Sequence, residues 1–446
     1  MPDLLRLILL QDYNTRVVLA GAGLFGLAAG VIGCFAVLRR RALVGDALAH
    51  AALPGIVAAF MVFRERHFAA FLLGALVFGL LGVLCIAAIQ AWTRIKEDAA
   101  LGIVLSAFFG LGLALSGIVQ RQPGGNKAGL DTFIFGKAAS MVQADVVLIA
   151  AVALATLAIV AVFFKEFRLL CFDRAFAASI GRPLGFLDFA LLSLVCACVI
   201  AGLPAVGVVL TAALLIIPAA AARFWTDRLT RMVLLSGAFG AASGLSGVAM
   251  SAVLPAPNGS GGLPTGAMIV LAAGLIFLVS MLGAPTRGVL AASVRRAGFR
   301  RRLAIEHVLR AAYEFGERRG DPVTPWHAGD VMAPRVDRAS SHGIRLALRR
   351  GLVAEVHPGA RPGPWYTLTA TGRTHAARLV RAHRLWEHYL IRHAGVAPDH
   401  VHRGADEIEH VLPPSLVRAI ESELGAYLPA APSSPHPTAF DSEDAR

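Results

Sequence analysis

Apolar runs near the length needed to cross a bilayer recur along the first two thirds of the chain, with short polar breaks between them, and they stop at about Leu282. A helix of ~20 residues spans the ~30 Å hydrocarbon layer. The pattern therefore predicts about nine membrane helices, near Val17 to Leu38, Val44 to Phe63, Phe68 to Trp92, Ala99 to Val119, Val146 to Phe164, Leu184 to Gly202, Ala205 to Phe224, Met232 to Leu254 and Thr265 to Leu282. From Pro285 onward no comparable run occurs, and Arg and His become frequent. The expected architecture is an all-α polytopic membrane protein with a soluble unit behind it. A membrane domain covers 1–284, a basic linker 285–302 and a folded domain 303–428, while 429–446 has the Pro- and Ser-rich composition of a disordered tail.

The period changes in the soluble part. Leu303 to Arg318 reads as an amphipathic helix, and Pro325 to Gly329 with Ala339 to Arg350 reads as a helix-turn-helix. Leu352 to Val356 and Trp365 to Thr369 read as two strands across the turn-rich His357 to Pro364. Helices follow at Gly372 to His393, Asp406 to Leu412 and Ser415 to Glu423. Helix, helix-turn-helix and two-stranded wing is the winged-helix order.

Composition and charge sharpen this picture. Of 446 residues 56% are hydrophobic, and the mean hydropathy of +0.65 excludes an ordinary soluble enzyme. The net charge of +13 gathers in alternate loops: Arg39 to Arg41, Arg94 with Lys96, Lys165 to Arg182, Arg223 to Arg231, and Arg287 onward. All of these can face the cytoplasm at once, which puts the N-terminus outside and the C-terminal domain inside a bacterial-type cytoplasmic membrane. Arg64, Arg66, Arg121, Lys127 and Lys137 fall on the opposite side without reversing the bias. Positive charge so placed meets anionic lipid, and nucleic acid is not the expected partner. Met1 to Val18 lacks a cleavable signal, so the first span is expected to stay as an anchor. The five cysteines form no CxxC or CxxH pair, which offers neither a zinc site nor a disulfide frame.

Small residues at helical spacing, Gly26 with Gly30, Gly102 with Ser106 and Gly110, and Gly240 with Gly244, allow helices to approach closely in lipid. Pro204, Pro218 and Pro264 stand at or inside span ends, where they kink helices or line a path. Between the fifth and sixth spans, Asp173, Arg174, Ala175, Phe176, Ser179, Ile180, Gly181 and Arg182 belong to a short amphipathic stretch opened by an Asp cap and closed by Gly and Pro. Such a helix suits docking into a groove on a partner protein, or resting on lipid headgroups.

Asp46 and His50 carry the candidate chemistry. A carboxylate and an imidazole one turn apart on a helix share a face, and ionisable groups inside a span usually face a bundle interior or a water path. Their oxygen and nitrogen donors suit Mn²⁺, Fe²⁺ or Zn²⁺. A helix cap at Asp46 and an interhelical hydrogen bond from His50 are the competing roles.

Several ordered segments bear a resemblance. Gly45-Asp46-Ala47-Leu48-Ala49-His50-Ala51-Ala52-Leu53-Pro54-Gly55-Ile56, after the Arg39 to Arg41 cluster, resembles the signature of the metal-type ABC transporter permeases that import zinc, manganese or iron. Glu97 to Ile103, Phe133 to Gly136, Val206 to Ala219 and Leu263 to Ala267 are similar to further segments of that family in the same order. The resemblance covers roughly Val17 to Leu282. It implies a second permease subunit paired around a central path, two ABC ATPase subunits docked on Asp173 to Arg182, and an extracytoplasmic metal-binding protein. It also implies that Asp46 and His50 of both permeases meet near the path as ligands to the transported ion, with no catalytic role. The chain itself has no G-x-x-x-x-G-K-[ST] loop, Gly136-Lys137-Ala138 being the nearest fragment, so ATP hydrolysis belongs to a separate subunit.

The soluble domain resembles the iron- and manganese-dependent repressors of the diphtheria-toxin-repressor class, through Arg378 to Glu387 and Asp406-Glu407-Ile408-Glu409-His410. Carried over by position, Glu306, His383, Asp406, Glu409 and His410 fall on ligand positions of a regulatory Mn or Fe site, whereas Leu303 stands where that family has a carboxylate. The competing role is a solvated charged helix face. Ser341, His342, Arg345, Arg349 and Arg350 lie where a recognition helix reads DNA, but a reader tethered at the bilayer suits a sensor or dimerisation module better. The reading is a permease for divalent transition metal, manganese or iron ahead of zinc because no thiolate is among the candidate ligands, with a fused regulatory domain. Its rivals are a permease for a metal chelate and a membrane-anchored, metal-responsive transcription regulator.

Overall fold

The computed structural model describes residues 13–41, 43–63, 68–121, 141–254, 263–321, 323–331, 338–357, 363–397 and 413–424. They form two compact units, Met1–Ala292 and Ser293–Arg446.

The described residues of the first unit are helical. The elements are α1 (Tyr13–Leu38), α2 (Val44–Ala51), α3 (Leu53–Phe63), α4 (Phe68–Trp92), α5 (Glu97–Gln120), α6 (Gln143–Val162), α7 (Phe164–Phe172), α8 (Arg174–Ser179), α9 (Leu184–Val206), α10 (Val208–Arg223), α11 (Leu229–Val253) and α12 (Thr265–Gly283). Eight segments are long and apolar enough to cross a membrane, α2 with α3 forming one of them, and a shorter apolar helix over Thr211–Arg223 stands beside them.

Two breaks depart from the expected continuous spans. Val44 to Phe63 divides at Ala52, two residues before Pro54, which has no N–H for the His50 carbonyl a helix would assign it; Ala52 N–H itself keeps its bond to the Leu48 carbonyl at 3.1 Å. The expected Ala205 to Phe224 span begins only at Val208, since Gly207 at φ +86° separates α9 from α10. That left-handed backbone needs glycine. Pro218 sits inside α10, and Pro264 precedes α12 as its N-cap.

The core of this unit is built around α1, which packs on α6, α9, α10 and most extensively on α11. Small residues set that seam. A Cβ on Gly26 would lie 2.1 Å from the Gly240 carbonyl oxygen, and one on Gly240 would lie 1.9 Å from that of Gly26. Ser236 Oγ donates to the Gly30 carbonyl at 2.6 Å across the same seam. The Gly102 and Gly110 positions on α5 behave differently, with open space where a Cβ would stand.

The second unit contains most of α13 (Val289–Arg318), then β1 (Trp326–His327), α14 (Ala328–Val331), α15 (Arg338–Arg349), β2 (Val353–Val356), β3 (Trp365–Leu368), α16 (Ala370–Ala394) and α17 (Pro414–Leu424). The antiparallel sheet has the order β1-β3-β2, with Val353 opposite Leu368 and Trp326 opposite Tyr366. Ile305, Leu309, Trp326, Ile344, Val353 and Leu368 form its core, and helix, helix pair and wing follow in winged-helix order. Two details correct the sequence reading. Residues 326–327, expected to open a helix, form a third strand, because Trp326 packs its ring on Tyr366 at 5.1 Å. The first helix starts at Val289 rather than Leu303, taking in most of the stretch expected as a linker.

Candidate metal-transport site and its surroundings

Asp46 and His50 lie on α2, an eight-residue helix held among α4, α5, α9 and α10. A helix this short does not persist alone, so its position is set by packing. Val44, Gly45, Ala47, Leu48, Ala49 and Ala51 supply that packing and are buried. Asp46 and His50 turn the other way, with side chains 38% and 22% exposed. His50 Nε2 stands 3.5 Å from Asp46 Oδ1, and the edge of Phe109 on α5 holds its ring at 4.7 Å. Among the described residues no group of three or more His, Cys, Asp or Glu could hold a metal ion. A transition-metal ion takes four or more donors. The pair supplies two donor side chains, fewer than such an ion needs.

The stretch expected to dock a partner is a defined short helix. Asp173 Oδ1 accepts from Phe176 N–H at 2.9 Å at the start of α8, and Gly181 turns the chain at φ +74° after its end. Ala177 is its buried residue, whereas Phe176 and Ile180 are exposed apolar side chains. Arg182 Nη2 reaches Glu166 at 3.8 Å, and Arg174 Nη2 reaches Asp188 of α9 at 3.0 Å. Burial lowers the pKa of the nearby Arg39 guanidinium, and the Asp188 carboxylate opposes that shift. Asp188 escaped the sequence reading, although a carboxylate inside an apolar run is the same signal that singles out Asp46.

In the second unit, Glu306 is buried and accepts from Arg302 Nε at 2.6 Å. His383 is buried with Nε2 3.0 Å from Glu387 Oε1 and Nδ1 3.3 Å from Arg310 Nη1. A guanidinium only donates, so Nδ1 is the acceptor and Nε2–H donates to Glu387. Arg310 also gives its Nε–H to Glu314 at 3.0 Å. The sequence reading missed Glu387 and Arg310; the i,i+4 spacing of His383 and Glu387 was the available signal for the first. Asp406, Glu409 and His410 lie outside the described residues, as does the Phe133 to Gly136 segment. The chemistry of these buried donors suits Mn²⁺ or Fe²⁺, but a guanidinium holds one imidazole nitrogen.

Eight segments long and apolar enough to cross a membrane, one of them carrying a half-open carboxylate–imidazole pair, describe a multi-pass membrane protein. Residues 11–284 match the ABC 3 transport family, and residues 369–430 match the iron dependent repressor, metal binding and dimerisation domain. The chain is 41% identical over 388 residues to the manganese transport system membrane protein MntC of Bacillus subtilis (strain 168), covering 87% of this chain and 86% of that one. It is 43% identical over 282 residues to the zinc transport system membrane protein TroC of Treponema pallidum (strain Nichols), covering 63% and 93%. The solved structure of PsaBC from Streptococcus pneumoniae in complex with Fab superposes with a TM-score of 0.55 at 32% identity, over 64% of this chain and 97% of that one. The chain belongs to the ABC 3 transport family, as a membrane-spanning transporter subunit with a repressor-type domain fused behind it.

Proposed function

We propose that this chain imports a divalent transition metal, manganese or iron ahead of zinc, as the permease of an ATP-driven complex in a bacterial cytoplasmic membrane. The Asp46–His50 pair carries the reading: one carboxylate and one imidazole, 3.5 Å apart and open on one side. Coordination replaces water lost by the ion, and a second permease copy brings an equivalent pair to complete the sphere. The open α5 face with Gly102 and Gly110, on the helix whose Phe109 backs His50, supports a close partner there. An ABC ATPase docks on Asp173 to Arg182, and an external binding protein delivers the ion; Arg39 to Arg41 and the C-terminal domain face the cytoplasm. In proteoliposomes with that ATPase, Mn²⁺ uptake is expected to depend on ATP. Absence of ATP-dependent uptake of Mn²⁺, Fe²⁺ and Zn²⁺ alike would overturn the proposal.

The fused domain serves as a cytoplasmic metal sensor that restrains import when metal is plentiful. His383, Asp406, Glu409 and His410, with Glu306 as a further donor, would hold Mn²⁺ or Fe²⁺ weakly, because Leu303 provides no oxygen. A bound ion would supply a charge that favours one arrangement of the domain over another. Arg310 opposes this ion by its own charge and by its contact with His383 Nδ1. In the full chain carrying Asp46→Ala and His50→Ala, Arg310→Gln is expected to tighten Mn²⁺ binding about tenfold, and His383→Ala to weaken it similarly. Calorimetric titration reads both. Identical heats for the three proteins would leave the domain without metal chemistry.

A further inference from the structure

Asp188, in the second turn of α9, gathers three arginines from two other parts of the chain. Its Oδ1 accepts from Arg39 Nη2 at 2.7 Å and lies 3.6 Å from Arg41 Nη1, while Oδ2 is 3.0 Å from Arg174 Nη2. Arg39 also donates through Nη1 to the Leu170 carbonyl of α7 at 3.0 Å, and Arg41 pairs with Glu97 at the start of α5. Arg39, Arg41 and Asp188 are largely buried, and Arg174 is exposed. Arg174 belongs to α8. Arg39 and Arg41 belong to the link between α1 and α2.

That link is held in an unusual form. Arg40 N–H bonds to the Val37 carbonyl at 3.0 Å and Arg41 N–H to the Ala36 carbonyl at 2.9 Å, the paired bonds of a helix-ending motif that normally uses glycine. Here the left-handed position is Arg40, at φ +59°, the one non-glycine residue with positive φ among the described residues. Such a backbone persists when its surroundings over-determine it, and the ion pairs of Arg39 and Arg41 on either side do so. The Arg41 carbonyl in turn accepts from Val44 N–H at 3.1 Å, the first residue of α2, so the pinned turn leads directly into the helix of Asp46 and His50.

α8 packs on α7 and, more lightly, on α9. Ala177 is its buried residue, and the ion pair of Arg174 with Asp188 ties it to α9. We infer that Asp188 is the positioning residue that ties the docking helix to the metal-bearing helix: displacement of α8 reaches α2 through Arg174, the Asp188 carboxylate, and the Arg39–Arg41 turn. The inference rests on the reading of α8 as the ATPase docking element. Packing contacts transmit small shifts in all directions, whereas a carboxylate shared by three guanidiniums has a limited set of arrangements and passes the shift to specified partners.

The test uses the whole permease–ATPase complex in proteoliposomes, with Mn²⁺ as the transported ion and the five native cysteines replaced. Three quantities are read: Mn²⁺ taken up per ATP hydrolysed, crosslinking of Ser179→Cys to the ATPase, and the nucleotide response of a fluorophore on Leu43→Cys, an exposed site just before α2. Arg174→Ala removes one exposed partner and leaves Asp188 with Arg39 and Arg41. It is expected to lower Mn²⁺ per ATP about three- to thirtyfold and to flatten the fluorophore response, with the crosslink retained. Arg174→Lys is expected to restore most of the ratio. Asp188→Asn is expected to do at least as much damage as Arg174→Ala; should it fail to assemble, Arg174→Ala decides. An unchanged ratio and fluorophore response in Arg174→Ala, with the crosslink intact, would overturn the inference and leave the docking reading standing. No crosslink in the active parent complex would overturn the docking reading itself.

Discussion

Asp46→Ala and His50→Ala are each expected to lower metal uptake more than about 100-fold while the protein still folds and assembles with its ATPase. The loss follows from arithmetic of ligands. Partners one layer behind a ligand already change metal affinity about 10- to 100-fold when removed, so deleting a ligand costs more. Folding is spared because the two side chains are 38% and 22% exposed, and the apolar residues that seat α2 are untouched. Substitutions at such open positions shift stability by roughly 0.5 kcal/mol or less. Uptake of radiolabelled Mn²⁺, Fe²⁺ and Zn²⁺ in cells measures the effect, and near-normal transport by both variants would remove the pair from the path.

Gly240→Val is expected to abolish the assembled permease. Its Cβ alone would stand 1.9 Å from a backbone oxygen of α1, which no rotamer change relieves. The two helices must separate, and separation breaks the reciprocal contact at Gly26 and the Ser236 to Gly30 hydrogen bond together. Overpacking of a tight core costs about 3 kcal/mol or more in severe cases, and here it falls on the longest seam of the bundle. Gly274→Val is the control, since a Cβ at Gly274 meets nothing within 4 Å. Thermal denaturation followed by size-exclusion chromatography separates the two; equal behaviour would contradict the interlocked seam.

These glycines show what the sequence makes legible and what it withholds. Small residues four apart announce a close helix contact, and Gly26, Gly30, Gly240 and Gly244 make one. The same spacing at Gly102 and Gly110 gives an open face. Periodicity identifies a stripe but not its partner, because the partner is distant in sequence. The shared face of Asp46 and His50 was legible for a different reason, since an ionisable group is conspicuous in an apolar run wherever its partners are. Asp188 carried the same signal, yet its role emerges only when Arg39, Arg41 and Arg174 arrive from elsewhere. Arg310 was invisible in an arginine-rich helix until folding placed it against His383, 73 residues later. The strand at Trp326 and His327 is too short for alternation to register, and it owes its existence to β3.

The proposed pairing of copies, with Asp46 and His50 of each as ligands, has a genetic corollary. When a chain altered at Asp46 is made in equal amount with the normal one and the two assort freely, roughly a quarter of the pairs keep both halves of the coordination sphere. In a cell carrying two copies of the gene, loss of one merely halves the supply of permease, whereas an altered but well-folded chain spoils its normal partners as well. In such a cell, transport-dead alleles at Asp46 or His50 are expected to be dominant over the wild type, and alleles that prevent folding, such as Gly240→Val, to be recessive.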